Sequence, residues 1–293
     1  MSSVLVLIAA PHSNAINARV ISLAGASPRW LFQGEAAEFT PPQNLAALRA
    51  ALAHLPIDIN VVPLANRRKR LLIADMDSTM IEQECIDELG DVAGVGGQIK
   101  AITVRAMRGE IDFEAALNER LALLAGLSAA VIDDLVRDRI TLMPGGKTLV
   151  ATMKAGGAYT ALVSGGFRQF TSRVASLVGF DTNEANDLII ENGKLAGKAA
   201  APILGQHAKV EALNRLCSAH GLTPSDSLAV GDGANDIPML QTAGMGVALH
   251  AKPKTRAAAG YQIDHGDLTA LLYLQGYRRE EFVIPPTSSI STR

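Results

Sequence analysis

The chain has 293 residues, 48% of them hydrophobic, and its 27 basic and 29 acidic side chains leave a formal charge of −2. That length and apolar content can build a large core, or one main domain beside a smaller one. The near balance of charge and the 4% aromatic content argue against a chain built around nucleic acid or an acidic membrane surface.

The first strand is predicted at Val4–Ala9, an apolar run with no basic stretch ahead of it and therefore not a secretory leader. INARVISLAG then has helical spacing and stops on Gly25. PRWLFQGEAAEFT reads as one or two strands, NLAALRAALAHL as a helix and IDINVVPL as an alternating strand. This β-α-β(β)-α-β order over residues 1–66 suits a small ferredoxin-like α+β domain. The basic run Asn66–Arg70 reads as a solvated linker.

From residue 67 onward strands and helices alternate, which implies an α/β domain with a parallel, doubly wound sheet. RLLIAD is its first strand. Residues 84–140 then carry apolar side chains almost entirely at helical spacing, so this block must sit outside the sheet as a cap. TALVSGG and SLAVGDG are strands that run into glycine turns, and GMGVAL and YQID are shorter, later strands. No apolar run approaches the roughly 18 residues of a membrane span. Cys85 and Cys217 are too far apart for a disulfide framework or a metal motif, so a soluble, cytoplasmic protein is expected. The six histidines show no ligand spacing.

Three predicted strands end in polar, glycine-rich turns: ADMDST, VSGG and GDGANDIP. Ligands of doubly wound sheets bind at such strand ends. Asp75 and Asp77 lie two apart and can face one pocket, where crowded carboxylates call for a cation. A hard divalent ion, Mg²⁺, suits Asp75, Asp77 and Asp232, with Asp236 in support behind them. Phosphoryl transfer would then use Asp75 as nucleophile and Asp77 as acid and base. Ser164 and the N–H groups around Gly165 would hold the phosphoryl oxygens, and Lys209 would neutralise charge. Taken singly these residues have plainer readings. Asp75 and Asp77 could be an acidic turn, Asn235 and Asp236 helix caps, and Lys209 a surface lysine.

Together DMDST, SGG, the downstream lysine and GDGANDIPM resemble the four motifs of the haloacid dehalogenase superfamily of phosphatases. More narrowly, from about residue 70 to 276 the chain is similar to the phosphoserine phosphatases of that superfamily. Met76 is a small departure, since phenylalanine is frequent there. The resemblance implies hydrolysis of O-phosphoserine through an aspartyl-phosphate, the last step of serine biosynthesis. It implies that Glu84, in DSTMIEQECIDELG, meets the substrate ammonium. Arg120 would meet its carboxylate, Met107 and Phe113 would line the closed pocket, and Asn235 would contact substrate. Read without it, Arg120 is a helical partner of Glu114 or Glu119, or solvated, and Met107 and Phe113 are core. Some relatives carry an amino-acid-binding (ACT-like) module ahead of the catalytic domain, which residues 1–66 match weakly. The resemblance is compatible with a homodimer.

Three other functions compete. Another small phosphate ester, or transfer to an alcohol such as homoserine, would use the same acids, and the Glu84 and Arg120 pair is what discriminates, since a zwitterionic amino acid needs both an anion and a cation. A receiver-like domain phosphorylated on Asp75 needs neither Asp77 nor a large cap. A nucleic-acid binder would have to rest on Asn66–Arg70 alone.

Overall fold

The computed structural model describes residues 2–25 and 27–286. The N-terminal part runs β1 (Ser3–Ala9), α1 (Ala18–Ala24), β2 (Arg29–Phe32), β3 (Ala36–Phe39), α2 (Leu45–Leu52) and β4 (Ile57–Pro63). Its strands pair antiparallel in the order β2-β3-β1-β4, the ferredoxin-like arrangement. Asn17 caps α1 by accepting the N–H groups of Arg19 and Val20, and Gly25 ends it at a φ of 75°. β1 is a continuous apolar run because both of its faces are covered. Leu5 and Leu7 pack with Val20, Leu48 and Leu52 of the helices above, while Val6 and Ile8 join the core that contains Leu271 and Leu272.

The second sheet has six parallel strands in the order β12-β11-β10-β5-β6-β7. β5 (Leu71–Ala74) is central and is followed by four short helices, α3 (Cys85–Val92), α4 (Gly96–Met107), α5 (Phe113–Ala122) and α6 (Val131–Asp138). These four helices lie outside the sheet as an inserted cap. Then come α7 (Gly146–Ala155), β6 (Tyr159–Phe167), α8 (Arg168–Val178) and β7 (Thr182–Asn186). A two-stranded hairpin, β8 (Leu188–Glu191) and β9 (Lys194–Ala199), precedes α9 (Gln206–Ala219). β10 (Ser227–Gly231), α10 (Ile237–Thr242), β11 (Met245–Leu249), α11 (Pro253–Ala258), β12 (Tyr261–Ile263) and α12 (Ala270–Leu274) complete it. All four residues of β5 are buried: Leu71 and Ile73 face one core, Leu72 and Ala74 the other, as a strand between two helical layers requires. β5 lies between β10 and β6, so the chain leaves it in opposite directions and opens a crevice at its carboxyl end.

The hairpin reaches back to the cap. Gly126 donates to Leu195, Leu195 to Leu127, and Ala129 to Gly193. The two sheets are also joined to each other by buried polar contacts. Asp58 on β4 accepts the N–H groups of Asp264 (2.7 Å), His265 (3.2 Å) and Gly266 (2.8 Å). The Asn60 amide pairs with both main-chain groups of Gln262. The basic run is not the solvated linker its composition suggests. Arg67 is buried against Glu38 (2.5 Å) and the carbonyls of Leu274 (2.6 Å) and Tyr273 (3.1 Å), and Lys69 is held by the carbonyls of Asn66 and Ser225. A guanidinium whose donors are met in this way can leave water.

Candidate active site

β5 delivers Asp75, whose own N–H still pairs with Val230 of β10. The chain then turns tightly, with the N–H groups of Met80 and Ile81 both directed at the Met76 carbonyl. The turn is too tight for the strand pleat to govern Asp77. Asp75 Oδ1 accepts the Met76 N–H at 2.8 Å and lies 2.7 Å from Lys209 Nζ. Its Oδ2 has no hydrogen-bond partner among the described residues. α9 carries Lys209, which is 2% exposed and also contacts Asp236 Oδ1 at 2.6 Å. Lys209 is therefore no surface lysine. Asp236 does two jobs: its Oδ2 accepts the Gly233 N–H at 2.9 Å as a cap, while Oδ1 holds the lysine.

Asp232 follows β10 and accepts from Thr79 Oγ1 at 3.1 Å, with Lys252 Nζ 3.7 Å away. One oxygen from each of Asp75, Asp232 and Asp236 lies within 4.8 Å of the others, and all three residues are buried. Among the described residues only Lys209 is buried with them to offset three negative charges, since Lys252 is 56% exposed. Burial, then the Asp75 charge, raises the pKa of Asp232 and pushes Asp236 up to about 7. Burial opposes the charge on Lys209, but Asp236 and Asp75 outweigh it and hold its pKa above the ordinary value. An all-oxygen set with a negative surplus fits a divalent cation. Asp75 and Asp232 are the residues placed to hold it, because both Asp236 oxygens are already engaged.

The Asp77 carboxylate does not join this cluster. Its Oδ1 accepts the Cys85 N–H at 3.1 Å, where α3 begins. Its Oδ2 points to β6, where a Cβ on Gly166 would come within 2.7 Å of it and 3.1 Å of Ser164 Oγ. Only glycine lets the two segments approach this closely. Burial, then the charge of Glu84, pushes Asp77 up to about 8. Ser164 is 2% exposed and accepts the Gly166 N–H at 2.9 Å. So that N–H is not free to meet a ligand while the pair is formed.

Glu84 is open to the cleft and accepts from Ser78 Oγ at 2.9 Å. Arg120, on α5, donates through Nε to its own helix at Ala116 (3.1 Å). It lies near Asp87 and Glu84 without an ion pair to either among the described residues, while Glu119 pairs with Arg105. Phe113 is 41% exposed and Met107 73%, so neither is core. The Phe113 ring stands 3.5 Å from where a Gly165 side chain would begin, above the crevice. Asn235 is half-buried in the turn before α10. Thr79 and Lys252 were not singled out by the sequence reading. Thr79 sits inside the DMDST motif, a signal that could have found it, whereas Lys252 has none.

The haloacid dehalogenase-like hydrolase model matches residues 72–241. A phosphoserine phosphatase of Lactococcus lactis is 46% identical over 204 residues, which cover 70% of this chain and 94% of that one. One from Streptomyces coelicolor is 43% identical over 80% of this chain, but the match spans only 58% of its length. The crystal structure of a haloacid dehalogenase family hydrolase from Salmonella enterica serovar Typhi superposes with a TM-score of 0.83 at 31% identity, covering 93% of this chain and 97% of that one. Acids directly after β5 and β10, a serine in β6 and a lysine on α9 all lie inside the matched span, and on these grounds the chain belongs to the haloacid dehalogenase-like hydrolase family.

Proposed function

We propose that the chain is a Mg²⁺-dependent phosphomonoesterase that hydrolyses O-phospho-L-serine to L-serine and phosphate in the cytoplasm. Residues 1–66 would be an ACT-like module, and residue 67 onward the catalytic unit with its cap at 84–140. The carrying observation is the contact of Asp75 with Lys209 beside Asp232 and Asp236, at a strand end faced by Ser164 and Asp77. The naming of the Lactococcus and Streptomyces relatives supports the substrate.

In this reading one carboxylate oxygen of Asp75 attacks phosphorus, with Lys209 and the Met76 N–H steadying the carboxylate. The bond from phosphorus to the serine oxygen breaks, and Asp77 gives that oxygen its proton. A carboxyl pushed up to about 8 still carries this proton at neutral pH. Asp77, now ionised, takes a proton from water, which attacks the aspartyl-phosphate and releases phosphate and Asp75. Lys209 and Ser164 hold the phosphoryl oxygens. Asp75 and Asp232 would hold Mg²⁺, which when bound supplies charge neutralisation to the phosphoryl group.

Glu84 takes the substrate ammonium and Arg120 its carboxylate, with Phe113 and Met107 closing over them. Arg120 suits this because its guanidinium is tied only to its own helix and keeps donors for a ligand. Asn235 contributes a polar contact beside the phosphoryl group. Phosphate release from a panel of phosphorylated amino acids, sugars and alcohols, with Mg²⁺ and with chelator, tests the reading. O-phosphoserine with Mg²⁺ should lead the panel; preference for a sugar phosphate would overturn it.

A further inference from the structure

One buried amide outside the residues discussed so far touches two of the catalytic segments at once. Asn186 ends β7, is 2% exposed and carries no charge. Its Nδ2 donates to the Gly165 carbonyl at 2.8 Å and toward the Leu204 carbonyl at 3.4 Å, and its Oδ1 accepts the Leu204 N–H at 2.6 Å. All of its partners are main-chain atoms. Gly165 adjoins Ser164, and Leu204 precedes Gly205, the residue that opens α9 and so delivers Lys209. The segments are otherwise held at their far ends. The loop after β9 has no strand of its own, and β6 departs from regular pairing with β7 between Val163 and Phe167. Asn186 spans that irregular stretch. The Phe113 ring rests over the tethered Gly165 and over Gly205, the neighbour of Leu204, 3.5 Å from a Gly165 Cβ position and 3.8 Å from that of Gly205.

We infer that Asn186 is a positioning residue for phosphoryl transfer: its amide fixes the spacing between Ser164 and Lys209, the two side chains that grip the phosphoryl group from opposite sides. The inference rests on the function proposed above. Carbon and nitrogen geometry gives a sharp prediction. In Asn186→Asp the shape is kept and the Leu204 N–H keeps its acceptor. Where the new carboxyl is ionised, its other oxygen faces two carbonyls, which repel it and push Gly165 and Leu204 apart. In Asn186→Ala both segments lose the tether altogether.

The test measures phosphate release from O-phosphoserine by the full chain, the melting temperature of each variant, and inhibition by orthovanadate as a phosphoryl mimic. Both variants should stay folded at 25 °C and lose about 10–100-fold in kcat, the cost of misplacing reacting groups by about an ångström. KM should change less than kcat, and orthovanadate inhibition should weaken at least about tenfold, because phosphoryl oxygens rather than the serine part lose their grip. Folded variants with kcat and orthovanadate inhibition within about twofold of wild type would overturn the inference and leave Asn186 a purely structural residue. If Asn186→Ala does not fold, Asn186→Ser and the isosteric aspartate decide by the same criteria. If the wild-type chain releases no phosphate from O-phosphoserine, the proposed substrate is wrong. Orthovanadate affinity then decides Asn186 alone: weakening supports it, and equal affinity overturns it.

Discussion

At the scale of single residues, the account turns on two aspartates that differ by environment. Asp75 is engaged through one oxygen and free at the other, while Asp77 lies apart from the acid cluster with a raised pKa. Asp77→Asn should cut turnover by about 10²–10⁴-fold in steady-state assays, since proton transfer is lost while binding is kept. Gly166→Ala should lower kcat by about 10²-fold, because the added methyl pushes Asp77 or Ser164 from its place. A normal rate in Gly166→Ala would show that this approach does not matter. These residues were legible because each lies in a short polar turn directly after an apolar strand. Asp77 reaches the cleft through the turn rather than the strand pleat, since β5 ends at Ala74 and the chain turns there. Lys252 and Asn186 were not legible, because one is an ordinary lysine in a loop and the other ends a strand without alternation.

At the scale of elements, the proposed choice of substrate rests on the cap. Glu84 opens α3 and Arg120 stands on α5 near it, and neither is neutralised by an ion pair among the described residues. Arg120→Ala should lower kcat/KM for O-phosphoserine by about 2–3 kcal/mol, on the order of 10²-fold, and leave p-nitrophenyl phosphate almost unchanged. Equal losses on both would make Arg120 a support of the fold instead. Helical spacing revealed the cap, but the β8–β9 hairpin that braces it went unread. Its signal was present: Asn192 and Gly193 form the two-residue turn, at φ of 51° and 75°, and Asn-Gly is the strongest hairpin dipeptide. β7 gave no such sign, because TNEAN pairs only along one edge and buries little.

At the scale of the whole molecule, the two sheets behave as one piece through contacts between residues far apart in the chain. No local pattern could reveal that Asp58 would meet residues 264–266, or that Arg67 would leave the solvent. Asp58→Ala should destabilise the fold by about 2 kcal/mol in urea melts, since three N–H groups, that of Gly266 buried, lose their acceptor. An unchanged midpoint would mean that water replaces the carboxylate. The acid cluster ties stability to pH and metal. Asp232 and Asp236 have raised pKa values, so protons compete with a cation as pH falls toward neutrality. The Mg²⁺-induced rise in Tm should therefore be larger near pH 8 than near pH 6, and an equal rise at both would contradict the assignment.

The central claim is that Asp75 carries the phosphoryl group. It is tested most directly by acid-quenching Asp77→Asn after brief exposure to O-phosphoserine and Mg²⁺, then locating any phosphoryl group by peptide mass spectrometry. With proton transfer impaired, the intermediate should build up, and Asp75 should bear one phosphoryl group that alkali removes. Absence of that adduct, together with near-normal turnover by Asp75→Asn, would contradict the account.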